Sequence, residues 1–78
     1  MNQYVATFHT HFSAMQSCRE LKKVGVSARM APVPRQLSSS CGTCVRYSGD
    51  DPKKSLLHED LEEIYVVLHE NYQKIQSL

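Results

Sequence analysis

The sequence predicts an α+β fold, a split βαβ or ferredoxin-like two-layer sandwich in the order βαββα(β), with two helices on one face of a small sheet. Three observations carry this. A β-branched and aromatic segment near the start alternates at period two, an apolar pattern at helical spacing follows it, and two further short alternating segments precede a second stretch with helical spacing. At 78 residues the chain holds a single domain, 1–78, and an unaided core of that size is marginal, which makes a homodimer a candidate assembly.

Gln3 to His9 places Tyr4, Ala6 and Phe8 on one side of a first strand. From Phe12 to Val24, Ala14, Met15, Cys18 and Leu21 recur at helical spacing; Thr10 can cap the start, and Lys22, Lys23 and Gly25 mark the end. Val26, Ala28 and Met30 alternate as a second strand that ends near Ala31, because Pro32 and Pro34 withdraw two backbone donors. A polar loop runs to Ser40, and Thr43 to Tyr47 resumes a strand that stops at Ser48-Gly49. Asp51 followed by Pro52 reads as a helix entry, with Ser55 as a competing start. Leu57, Leu61, Ile64, Tyr65 and Leu68 then line one face of a second helix, with Glu59, Glu62, Glu63 and Glu70 largely off it. The tail from Tyr72 to Leu78 fits either an extension of that helix or a short edge strand. In the split βαβ the third strand lies between the first two and antiparallel to both. His9, Thr10, His11 and the start of the first helix therefore approach Cys41 and Gly42.

A formal charge of +1 with scattered Lys and Arg provides no basic field for nucleic acid. The N-terminus lacks a cationic start followed by an apolar core, and no apolar run approaches ~18 residues, so neither secretion nor a membrane span is expected. The expectation is a cytoplasmic protein. Its three cysteines are an odd count and point to reduced thiols rather than a disulfide framework.

Of these, Cys18 lies on the apolar stripe of the first helix and Cys44 alternates with Val45 on a strand, both suited to packing. Cys41 sits instead in a polar loop. The N–H groups at the helix start, the guanidiniums of Arg35 and Arg46, the hydroxyls of Ser38, Ser39 and Ser40, and a backbone freed by Gly42 could all favour its anion, with His11 nearby, so its thiolate is expected to form more readily than that of a free cysteine. Cys44, three residues on, is a candidate resolving thiol. Extended chain would hold the two Cα atoms ~10 Å apart, beyond the ~7 Å limit of a disulfide, so only a turn at Gly42-Thr43 could join them. His9, His11, Cys41 and Cys44 make up four zinc-type ligands, but a lone Cys-x-x-Cys lacks a second, and neither a metal nor another cofactor is expected.

The run Pro34-Arg35-Gln36-Leu37-Ser38-Ser39-Ser40-Cys41-Gly42, with Thr7-Phe8 before it and a strand carrying Arg46 after it, resembles the motif of a small bacterial family of selenium/sulfur carrier-like proteins. The likeness runs from about Tyr4 to Tyr47. It implies that Cys41 accepts a persulfide or selenopersulfide in the setting of Arg35, Ser38 to Ser40, Gly42 and Arg46, as a carrier rather than a turnover enzyme, with a sulfur or selenium donor or acceptor protein as partner. Gln36 stands where the motif carries an acidic residue, and Cys44 is an addition to it. Two other classes stay open: a small interaction or regulatory module with incidental thiols, docking through the second helix or the open side of the sheet, and a thiol-disulfide redox protein using Cys41 and Cys44. Hydrolysis is disfavoured, because the acidic residues gather away from any serine and no glycine-rich phosphate loop occurs.

Overall fold

The computed structural model describes residues 1–75. Strand β1 (Asn2–Phe8) leads into helix α1 (His11–Lys23), and β2 (Ala28–Pro32), β3 (Thr43–Gly49), β4 (Leu61–Leu68) and β5 (Asn71–Lys74) follow. One antiparallel sheet contains all five strands in the order β2-β3-β1-β4-β5. β3 thus lies between β1 and β2 as the topology predicts, with Tyr4 opposite Tyr47 and Ala31 opposite Cys44.

Helix α1 starts as its sequence dictates. Thr10 is extended, at φ −133 and ψ 155, and its side chain accepts from the Ser13 amide at 3.1 Å, while Gly25 at φ 85 follows the last turn. Ala14, Cys18 and Leu21 are buried against Tyr4, Ala6, Phe8, Val45, Tyr47 and Ile64, which share one face of the sheet. Met15, expected on the same stripe, lies at its exposed margin.

The predicted second helix is absent. Its segment forms a 3₁₀ turn at Lys54–Leu56 and then the β4–β5 hairpin, so the described residues hold one helix on the sheet rather than two. The physical reason is local and tertiary together. Ile64-Tyr65-Val66-Val67 is β-branched or aromatic throughout, which restricts χ1 in a helix and suits a pleated surface. Because nearly every position there is apolar, a helical stripe can be drawn through it as easily as an alternating one. The second edge of β1 then decides, since the buried backbone of Val5, Ala6 and Thr7 needs partners and β4 supplies them. His69 and Glu70 turn the hairpin with φ 49 and 69, the paired left-handed conformation of a two-residue type I′ turn. The Tyr72 tail is accordingly an edge strand as far as Lys74, and Gln76 to Leu78 lie outside the described residues. Asp51 caps no helix; its carboxylate accepts from the Lys53 amide at 2.9 Å.

α1 packs chiefly on β3, β2 and β1, and it also meets the 3₁₀ turn at Lys54–Leu56. The β4 side of the same sheet face carries the 51–57 segment instead, beside a cavity of about 380 Å³ floored by Pro52, Leu61, Ile64 and Ile75. Tyr47 stacks on Tyr4 at 5.3 Å and donates its hydroxyl to the Pro52 carbonyl, anchoring that segment; burial, with Tyr4 and Asp51 adding to it, holds its phenol well above the ordinary range.

A hairpin and a helix respond oppositely to one double substitution. Replacing His69-Glu70 by Asn-Gly relieves two left-handed non-glycine residues and is expected to raise unfolding stability by roughly 1 kcal/mol in urea titration. In a helix the same glycine would lower it by about 1 kcal/mol.

Candidate functional site

The loop from Val33 to Gly42 is closed at its base by the Val33 amide donating to the Gly42 carbonyl at 3.1 Å, and a turn at Pro34–Leu37 sends it back across the end of the sheet. What holds its far side is a carboxylate on β4. Thr7 pairs with Glu63 but Phe8 pairs with Leu61, so Glu62 is the extra residue of a β-bulge. Glu62 accepts from the Ser40 hydroxyl at 2.7 Å, the Ser40 amide at 3.2 Å and the Ser39 hydroxyl at 3.0 Å. His9 Nδ1 lies 3.3 Å from the same carboxylate and 3.4 Å from Ser40 Oγ. Burial alone would raise the Glu62 carboxyl, but the Ser40 hydroxyl and amide, the Ser39 hydroxyl and His9 together bring it below its ordinary value.

A second carboxylate secures the helix start. Asp60 accepts from Ser13 Oγ at 2.7 Å and from Thr10 Oγ1 at 3.2 Å, and these bonds, the Ser13 bond foremost, lower its carboxyl against the opposing effect of burial. The His58 amide donates to buried Ser17 at 2.8 Å, and the Phe12 ring meets His58 edge-on at 6.3 Å. The Asp60 carboxylate thus sits against the Thr10 and Ser13 hydroxyls at the positive end of α1.

Cys41 stands between these two ties. Gly42 at φ 74 takes the left-handed conformation the sequence anticipates and turns the chain into β3. The Cys41 thiol donates to the Thr43 carbonyl at 3.4 Å, and Thr43 Oγ1 is 3.4 Å from His11 Nδ1. Cys41 is half-buried, whereas Cys18 and Cys44 are buried, and all three are free thiols. Burial pushes the Cys44 thiol up despite Arg46 and Arg29, and its Sγ donates to the Pro32 carbonyl at 3.6 Å.

The fold thus brings His9 against Ser40 and His11 against Thr43, the residues on either side of the Cys41-Gly42 turn. His11 does so as the first residue of α1. The serine hydroxyls go to Glu62 rather than to sulfur, and Ser38 and Arg35 are exposed. Arg46 is drawn away: its guanidinium donates to Tyr72 Oη at 3.0 Å and lies 5.8 Å from that ring. Among the described residues no three of His, Cys, Asp and Glu converge to hold a metal. Glu62 and Asp60 are the site residues that sequence reasoning missed. Two adjacent serines in need of an acceptor are the signal for Glu62, but it becomes readable only once its segment is known to pair with β1.

Over residues 3–78 the chain matches the model of a family described as Putative Se/S carrier protein-like. It belongs to that family. Neither a curated protein nor a solved structure matches it. The match places the whole Se/S carrier-like unit, from β1 to beyond β5, within one family model, and so includes the β4 residues that tie down the Cys41 loop. No helix among the described residues of this Se/S carrier-like chain is long and apolar enough to cross a membrane.

In iodoacetamide labelling of the native chain, Cys41 is expected to react first, and Cys18 and Cys44 only at the rate of unfolding, as peptide mass mapping would show. Folding depresses both the Asp60 and Glu62 carboxyls. Their stabilisation is thus complete above the unfolded carboxylate range near pH ~4 and is lost as pH falls through the lower folded values. Urea midpoints measured against pH should show an acid limb that is flattened in Asp60→Asn and Glu62→Gln.

Proposed function

We propose that Cys41 accepts a sulfane sulfur or selenium atom from a donor protein and hands it to an acceptor. The observation that supports this reading best is the contrast among three thiols of a Se/S carrier-like chain: one is presented on a glycine-turned loop, and two are packed away. Transfer begins when the thiol proton leaves to solvent. The Cys41 thiolate attacks the terminal sulfur of a donor persulfide, the donor S–S bond breaks, a Cys41 S–S bond forms, and the donor departs as a thiolate. Electrons balance without an external oxidant, and the selenium case differs only in the atom moved.

In this reading the backbone does most of the positioning. Glu62 fixes Ser39 and Ser40, the two residues before the nucleophile, and Gly42 sets its angle to β3. His9 and His11 lie against Ser40 and Thr43, before and after Cys41 in the chain, and Arg35, exposed on the turn of the same loop, is free to meet an anionic partner. Release proceeds by attack of an acceptor thiolate on the carried atom. The buried Cys44, its thiol pushed up, is poorly placed to resolve it.

Incubation with a cysteine desulfurase and cysteine should add roughly 32 Da, the mass of one persulfide sulfur, to the intact protein. The adduct should vanish in Cys41→Ser and persist in Cys44→Ser. An adduct that survives in Cys41→Ser, or none in the wild-type chain, would overturn the reading.

A further inference from the structure

The sheet face away from α1 carries an arrangement the Cys41 chemistry does not use. Arg29 on edge strand β2 and Arg46 on β3 stand directly opposite each other in the ladder and share that face. Like charges in this position repel, so a sheet selected for stability alone would not retain them without a compensating anion. Among the described residues neither arginine takes part in an ion pair. Arg46 partly escapes by reaching for Tyr72, and Arg29 is left exposed. The charge of both still reaches this face, since both act on the Cys44 thiol from it.

Beside them lies a depression of about 160 Å³ lined by Gln3, Ser27, Arg29, Arg46 and Ser48, with Ala28 and Tyr47. Ser48 pairs with Gln3 on β1, and its amide donates to the Ser27 carbonyl at 3.2 Å, so the three polar residues form a row across β1, β3 and the residue before β2. Each offers a hydrogen-bond donor, and among the described residues no carboxylate lines the depression. A depression whose described lining offers several donors and arginine charge, and no anionic group, is complementary to an oxyanion.

We propose that this cup on the open sheet face binds a small phosphate-type oxyanion, with Arg29 as its principal charge and Gln3, Ser27 and Ser48 as the orienting donors. The site is separate from Cys41 and does not rest on the carrier reading. Amide ¹H–¹⁵N spectra of the full chain, titrated at constant ionic strength with inorganic phosphate and, in a second series, with methyl phosphate, test it. Saturable shifts centred on Gln3, Ser27, Arg29 and Ser48, with half-saturation at or below about 10 mM, are expected. Saturation by both anions assigns the phosphomonoester class, and saturation by inorganic phosphate alone assigns the free ion. Arg29→Gln, at an exposed position that should leave the spectrum dispersed, should weaken the response at least about tenfold. Shifts that do not saturate, that chloride reproduces, or that Arg29→Gln leaves unchanged would overturn the proposal.

Discussion

Strand β1 is hydrogen-bonded along both edges and buried from Tyr4 to Phe8, and the rest of the molecule is arranged around that double pairing. A buried strand with one open edge would leave amides and carbonyls without partners, at a cost of about 1–3 kcal/mol each. β3 answers one edge and β4 the other. Once both are in place, the even-numbered side chains of β1 form the floor on which α1 lies, and the odd-numbered ones face the sheet's other side. The bulge opposite Thr7 and Phe8 is the one irregularity in this pairing with β4, and it delivers Glu62 to the loop that carries Cys41.

Two carboxylates then divide the labour at that end of the sheet. Asp60 satisfies the Thr10 and Ser13 hydroxyls at the opening of α1, and Glu62 satisfies Ser39 and Ser40. Each replaces an entropically free loop with one tied at a defined point, which is how a chain of 78 residues keeps a long connection ordered beside a marginal core. The arrangement also changes the electrostatics expected of the thiol. Anion-stabilising groups are present, but the Ser39 and Ser40 hydroxyls are already bonded to Glu62, and the Thr10 and Ser13 hydroxyls at the helix start to Asp60.

Reading the chain residue by residue succeeded where one segment admitted one period. Tyr4, Ala6 and Phe8 could alternate only as a strand, and Ala14, Cys18 and Leu21 recur only as a helix. It failed from Leu57 to Tyr72, where Ile64, Tyr65, Val66 and Val67 satisfied both templates. At the site, the Cys41-Gly42 turn and the approach of His9 and His11 followed from the order of the first three strands, so they were legible together with that order. Glu62 was not, because its role depends on a bulge, and a bulge exists only relative to a partner strand. Arg46 likewise looked like part of the Cys41 setting in the linear motif, until Tyr72 on a strand the sequence read ambiguously took up its guanidinium.

The amino-acid order by itself determined the early βαβ unit, the Thr10 cap and the left-handed glycine after Cys41, all of which depend on groups a few residues apart. Only the tertiary structure decided that the second half is a hairpin, that Cys44 is sealed while Cys41 is presented, and which acids hold the loop. Those outcomes turn on pairing and burial between segments distant in the chain, and such energies are set by the partner that arrives, not by the residues that await it.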